Sequence, residues 1–381
     1  MKRFYGRAFA GGVIQDDTLV EVTDGVIASC DQVAKPPADA QIVRGIITPG
    51  FIDVHVHGGE GDDFMDASGE GNARILAFHA RHGTTALMAT TLSASRHDLQ
   101  AAVEAIALSM STSMHDEGSE IIGIHLEGPY INDARAGAQN RASIRLPDIH
   151  EVAALISEAP RMRWMITIAP EIEGAHALIA HFRDRVLFSI GHTNANHAEA
   201  VAALEWGATH FTHLFNAMTP LGHREPGVVG AALASADATA ELIADGVHVH
   251  PATLWIAARM MPYRIALVTD AIRACGMEPG TYKLYELDVT VDDGGAARLA
   301  DGTLAGSVLT MDRAVKNMVE LAGLPIEYVL PLATTVPAKI AGVADRKGKI
   351  EVDYDADLVV LDERLEVEQV VVRGNEVGNV R

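Results

Sequence analysis

Phe51-Ile52-Asp53-Val54-His55-Val56-His57 reads as a strand with apolar residues on both faces, Asp53 set among them, that closes on two imidazoles. β-Branched and aromatic residues favour extended backbone, and a run apolar on both faces belongs in a sheet covered on both sides. Working outward, the same texture recurs at Thr84–Thr90, Ile121–Glu127, Arg163–Ala169, Val186–His192, His210–Phe215, Glu241–Val247 and Ile265–Asp270. Stretches rich in Ala, Leu and Glu follow most of these runs, among them Gly71–His82, Ala195–Trp206 and Thr310–Leu321, and they predict helices. Eight strand–helix units in succession predict an α/β fold closed as a TIM-like (β/α)8 barrel.

The two ends of the chain have a different texture. Short strand-like runs at Phe4–Phe9, Leu19–Thr23, Val26–Cys30 and Gln41–Val43 are punctuated by Gly, Asp and Pro. Similar runs return at Lys349–Val352, Leu358–Leu361 and Gln369–Val372. The ends are therefore expected to pair as one small β-sandwich domain, residues 1–48 with 346–381, and the barrel of residues 49–345 is inserted between its halves. Segment 276–305 reads as a hairpin insertion turned by Asp292-Asp293-Gly294-Gly295.

Composition narrows the function. The chain has 381 residues, 48% hydrophobic, enough for a large core. Its formal net charge of -21 repels polyphosphate backbones and anionic bilayers, so neither nucleic acid nor a membrane surface is an expected partner. A phosphorylated ligand would need a local basic pocket against that field. Cys30 and Cys275 form no disulfide framework or CxxC pair and are expected to be packing residues in a reducing compartment. The first twenty residues carry no apolar leader core, and no stretch of about 18 uncharged apolar residues predicts a membrane span. The expected location is the cytoplasm.

Working residues of such barrels stand at the carboxyl ends of the strands. His55 and His57 end the first run, Glu127 the third and His192 the fifth; His213 lies near the end of the sixth, and Asp270 ends the eighth. Strand alternation turns His55 and His57 to the same face. Imidazole and carboxylate are ordinary ligands of Zn²⁺ and related ions. Any one of the 17 histidines taken alone is more readily structural. Five strands that all deliver ligand-type residues to one mouth predict a metal site. His210 has the opposite parity to His213 and is expected to face the helical layer. His79, His82, His97, His115, His150, His176, His181 and His197 are read as structural or solvated.

These residues also carry a resemblance. Pro49-Gly50-Phe51-Ile52-Asp53-Val54-His55-Val56-His57-Gly58 resembles the opening of the amidohydrolase superfamily. His125-Leu126-Glu127-Gly128-Pro129, Gly191-His192-Thr193 and Thr212-His213-Leu214-Phe215-Asn216-Ala217-Met218 are similar to the N-acetylglucosamine-6-phosphate deacetylase family. So are Ala244-Asp245-Gly246-Val247-His248, Val268-Thr269-Asp270-Ala271 and Leu304-Ala305-Gly306-Ser307. The resemblance implies metal-dependent hydrolysis of the acetamide of an N-acetyl-hexosamine 6-phosphate. N-acetyl-D-glucosamine 6-phosphate is the first choice of substrate; N-acetylgalactosamine 6-phosphate or another amidohydrolase chemistry is the alternative.

The resemblance further implies that Glu127, His192 and His213 hold a main metal, and that His55 and His57 hold a second with Glu127 bridging. One or two divalent ions follow, zinc first, with iron, cobalt or manganese as alternatives. Many two-metal members of the superfamily bridge their ions through a carboxylated lysine at the fourth strand. No lysine lies between Lys35 and Lys283, so Glu127 is the available bridge. Asp270 is implied as the acid/base and as a metal ligand, with His248 as the hydrogen-bond donor to the substrate carbonyl. Asn216, Ala217 and Arg224 are implied as phosphate ligands, Arg224 reaching the neighbouring site of a homodimer, and Leu304 as a further substrate contact. Gln139, in Ala136-Gly137-Ala138-Gln139-Asn140, stands where the family usually has a substrate-contacting His, which leaves the identity of the hexosamine open. A catalytically silent scaffold is the reading from another class; it should have lost ligands, and this sequence keeps all six.

Overall fold

The computed structural model describes residues 1–111 and 118–378; His115 lies outside them. Eight strands form one parallel sheet in sequence order: Phe51–Val56, Thr84–Thr91, Glu120–Glu127, Arg163–Ile168, Val186–Ile190, His210–Phe211, Thr239–Ile243 and Ile265–Val268. The first and the eighth meet at their carboxyl ends. The N–H of Asp270 donates to the His55 carbonyl at 2.9 Å, and the N–H of His57 donates to the Ala271 carbonyl at 2.9 Å. This TIM-like barrel is closed where the polar strand ends gather. Helices Gly69–Arg81, His197–Trp206 and Met311–Glu320 fall within the stretches expected for them to within two residues at either end.

The termini join as a small β-sandwich domain whose seven strands are hydrogen-bonded in one sheet. Leu358–Leu361 pairs antiparallel with Gln41–Pro49, which itself runs parallel to Lys2–Ala10. Phe4, Val20, Ile27, Ile47, Leu358 and Val371 form a core separate from that of the barrel. Gly50 carries the chain from one body into the other. A Cβ there would sit 2.1 Å from Thr85 Oγ1, so no larger residue fits the crossing.

Two expectations change. Lys349–Val352 is not a strand: Ile350 alone of the four is buried, and the chain turns at Asp353, which has φ 70°. One buried apolar residue anchors a loop as well as it anchors a strand. Segment 276–305 holds three antiparallel strands, Gly280–Leu284, Leu287–Val291 and Ala297–Arg298, because the chain also reverses at Tyr285-Glu286. At the second reversal the Asp292 carboxylate accepts from the N–H groups of Gly294 and Ala296, and Gly295 takes φ 79°.

A buried ion network ties the base of the barrel to the β-domain. Lys347 is 1% exposed, and its Nζ lies 2.6 Å from Asp357, 2.9 Å from Asp355 and 2.9 Å from Glu120. Three carboxylates around one ammonium offset the desolvation that an isolated buried charge would suffer. No helix among the described residues is long and apolar enough to cross a membrane.

Candidate active site

Six polar side chains from five strand ends converge at the mouth of the barrel. Nε2 of His192 and Nε2 of His213 lie 3.1 and 3.0 Å from Glu127 Oε1 and 3.0 Å from each other. On the other side, Nε2 of His55 and Nε2 of His57 are 3.3 Å apart. Asp270 Oδ1 lies 3.4 Å from the first of these and 3.3 Å from the second, and Glu127 Oε2 lies 3.3 Å from His57. Tetrahedral ligands about 2.0–2.1 Å from a first-row ion stand roughly 3.3–3.4 Å from one another. The donor types and the spacing both fit a divalent ion, and Glu127 stands between the groups: Oε1 meets His192 and His213 and lies 3.5 Å from His55, and Oε2 meets His57.

The backbone is bent to make this arrangement. His192, His213 and Asp270 have φ of 47°, 27° and 50°, in the left-handed region that non-glycine residues seldom occupy. Each terminates or follows a barrel strand, so the turn from strand to loop aims the side chain across the mouth. Such strain persists where the surrounding structure enforces it, and it clusters at functional sites.

The electrostatics are those of a site built around positive charge. Burial opposes charge on His57, but Asp270 and Glu127 overcome it and lift its pKa to about 9. Burial likewise works against His55, yet Glu241, Glu127 and Asp270 hold it well above the usual imidazole range. Burial would raise Glu127, but the charges on His55 and His192 hold it well below the usual carboxylate range. Protons on imidazoles thus offset the clustered carboxylates, the service a bound cation would perform.

A cavity of about 280 Å³ opens above the cluster. Gln139, Asn216, Ala217, His248 and Leu304 line it together with His57, Glu127, His192, His213 and Asp270. The His248 ring is fixed at Nδ1 by Asp245 Oδ2, 2.7 Å away, which leaves Nε2 for the cavity. Gln139 accepts from the Ser93 N–H at 2.7 Å and donates to Glu127 Oε2 at 2.5 Å. Arg224 is not brought to the cavity; it is exposed on the loop that precedes helix Gly227–Ala234.

His210 corrects its expectation. It is fully buried, with Nδ1 2.7 Å from Thr239 Oγ1 and Nε2 3.4 Å from Glu241 Oε1, in the layer beneath the cluster. The parity argument fails because the sixth strand is regular for His210–Phe211 alone, and His213 has already left extended backbone. That lower layer holds residues the sequence reading passed over. Glu241 is fully buried and bonds His55, and His125 is fully buried and bonds Thr167 Oγ1 at 2.7 Å. The available signal was a carboxylate and an imidazole inside runs that are otherwise apolar. Arg135 is the one Lys or Arg among the described residues lining the cavity, and nothing in its spacing marked it.

With the geometry in place, the relatives agree in kind. The sequence model of the amidohydrolase family matches residues 46–377. N-acetylglucosamine-6-phosphate deacetylase of Bacillus subtilis (strain 168) is 38% identical over 363 residues, covering 93% of this chain and 91% of that protein. N-acetylgalactosamine-6-phosphate deacetylase of Escherichia coli O157:H7 is 37% identical over 360 residues, covering 94% of each. Among solved structures, a mutant N-acetyl-D-glucosamine-6-phosphate deacetylase from Mycobacterium smegmatis, in complex with N-acetyl-D-glucosamine-6-phosphate, matches with TM-score 0.93 and 34% identity over 99% of both chains. The chain belongs to the amidohydrolase family, and within it to the N-acetylglucosamine-6-phosphate deacetylase family.

Proposed function

We propose that this chain hydrolyses the acetamide of N-acetyl-D-glucosamine 6-phosphate, releasing acetate and the amino sugar phosphate. The observation that carries the reading is the set of ligand atoms from His55, His57, Glu127, His192, His213 and Asp270, spaced at about the edge of a metal tetrahedron below a sugar-sized cavity. Glu127, His192 and His213 would hold one ion; His55 and His57, with Glu127 shared, would hold a second. Nitrogen and carboxylate donors at this spacing favour zinc.

A divalent ion bound there supplies Lewis acidity for the carbonyl and lowers the pKa of a water. The protein does the rest. Asp270 Oδ1 lies 3.4 and 3.3 Å from Nε2 of His55 and His57, where positive charge, on the imidazoles or on an ion they hold, keeps it a carboxylate at neutral pH. It takes the proton from the attacking water and returns it to the departing nitrogen. His248, braced by Asp245, donates a hydrogen bond to the developing oxyanion. Asn216 and Ala217 meet the phosphate from within the subunit, and Arg224 comes from a second copy of the chain. The two isolated cysteines and a phosphorylated small-molecule substrate suit the cytoplasm, and the homodimer rests on the role given to Arg224 alone.

The test is acetate release from a panel of N-acetyl-hexosamines with and without 6-phosphate, alongside metal analysis of the purified protein. Turnover of N-acetyl-D-glucosamine 6-phosphate well above the rest is expected. Turnover confined to the galactosamine or mannosamine compounds, or a metal-free protein with full activity, would overturn the reading.

A further inference from the structure

We propose that Gln139 is a positioning residue for the shared carboxylate. It holds Glu127 with Oε1 turned to His192 and His213 and Oε2 turned to His57, and so sets how tightly the His55–His57 position keeps an ion. The inference rests on the metal reading above and names a residue that controls one of its two positions.

The terminal torsion of a glutamate is broad, so its two oxygens exchange places unless something holds them. At Glu127 they have different neighbours. Oε1 lies within 3.1 Å of both His192 and His213 and 3.5 Å from His55, whereas Oε2 lies 3.3 Å from His57. Gln139 Nε2 donates to Oε2 at 2.5 Å and to no neighbour of Oε1. The amide cannot reverse its ends. Its Oε1 accepts from the Ser93 backbone N–H at 2.7 Å, and a backbone N–H can only donate. An ionised carboxylate can only accept, so both partners demand the same orientation.

Two further facts favour positioning over simple packing. Gln139 is 4% exposed, so its bond to the carboxylate is little weakened by water. The side chain is also neutral. It fixes an anionic ligand without placing a second positive charge beside the cation, as a lysine or arginine would. One N–H of the amide is committed to Glu127, which leaves the other for the cavity that Gln139 lines.

Partners that orient a metal ligand typically change affinity about 10- to 100-fold when removed. The test uses Gln139→Met, which keeps length without a donor, and Gln139→Asn, which keeps the amide but falls short. Metal-depleted full-length proteins are titrated with Zn²⁺ against a chromophoric chelator, and thermal unfolding is recorded in parallel. Wild type should take two ions with separate affinities. Both variants should weaken one of them about 10- to 100-fold, leave the other unchanged and keep the unfolding temperature of the metal-depleted protein. Unchanged affinities, equal losses at both positions, or a wild type that saturates at one ion would each overturn the role of Gln139. A wild type that takes up no ion would overturn the metal reading itself.

Discussion

Oε2 of Glu241 lies 2.8 Å from Nδ1 of His55, and both side chains are fully buried. The carboxylate accepts the Nδ1 proton, so Nε2 is the ring nitrogen of His55 left for the cluster. The same oxygen accepts the backbone N–H of His213 at 2.9 Å. One carboxylate on the seventh strand therefore aligns proposed ligands from the first and the sixth. Glu241→Gln keeps the volume and removes the charge. It is expected to weaken Zn²⁺ binding about 10- to 100-fold with the fold intact, read by chelator competition and circular dichroism. An unchanged affinity would mean that His55 is held by its packing alone.

Asp270 touches both His55 and His57, yet its proposed work is proton transfer. Asp270→Asn should retain at least one ion per chain and lose about 100- to 10,000-fold in kcat, the range for a positioned acid/base. Metal content by elemental analysis and kcat for N-acetyl-D-glucosamine 6-phosphate separate the two roles. Full turnover with full metal would remove Asp270 from the chemistry, and loss of all metal would make it chiefly a ligand.

The upper layer of the site was legible because its residues end strands, where a polar side chain interrupts an apolar run. His55, His57, Glu127, His192 and Asp270 all announce themselves in this way. The lower layer was not. His210, Glu241 and His125 are held by Thr239, His55 and Thr167, and His210 stands 3.4 Å from Glu241, all contacts between strands that lie far apart in the chain. Alternation misplaced His210 because it assumes extended backbone through residue 213, and the strand stops after Phe211. The barrel itself was easier to read than its decoration. Eight apolar runs need a common core whatever the loops do, whereas Lys349–Val352 could satisfy its single buried residue as a loop.

Arg224 and Arg135 offer rival sources of positive charge for a phosphate. Arg224 is exposed and away from the cavity of its own chain, while Arg135 lines that cavity with its guanidinium Nε 3.1 Å from Asn194 Oδ1. If a second copy supplies Arg224, Arg224→Ala should raise KM for the 6-phosphate substrate about tenfold or more, as expected for a lost charge-assisted pair, and hardly alter unphosphorylated analogues. Mixing Arg224→Ala with Asp270→Asn subunits should then restore some activity, because one of the two sites regains both side chains. A KM effect from Arg135→Ala alone would place the phosphate within one subunit.

The network at the base of the barrel predicts how the protein fails in acid. Burial would raise Glu120, but Arg346 and Lys347 overcome it and bring its pKa down from 4.5 to about 2. A carboxylate lowered on folding stabilises the native state fully above its unfolded value and loses that contribution as pH falls through its folded value. The loss therefore runs from about pH 4.5 down to about 2 and is on the order of 3 kcal/mol for a shift of this size. Glu120→Gln should unfold at lower urea near neutral pH and show a shallower fall in stability across that window. Identical slopes for wild type and variant would show that the acid sensitivity of the fold lies elsewhere than in the contacts of Glu120 with Arg346 and Lys347.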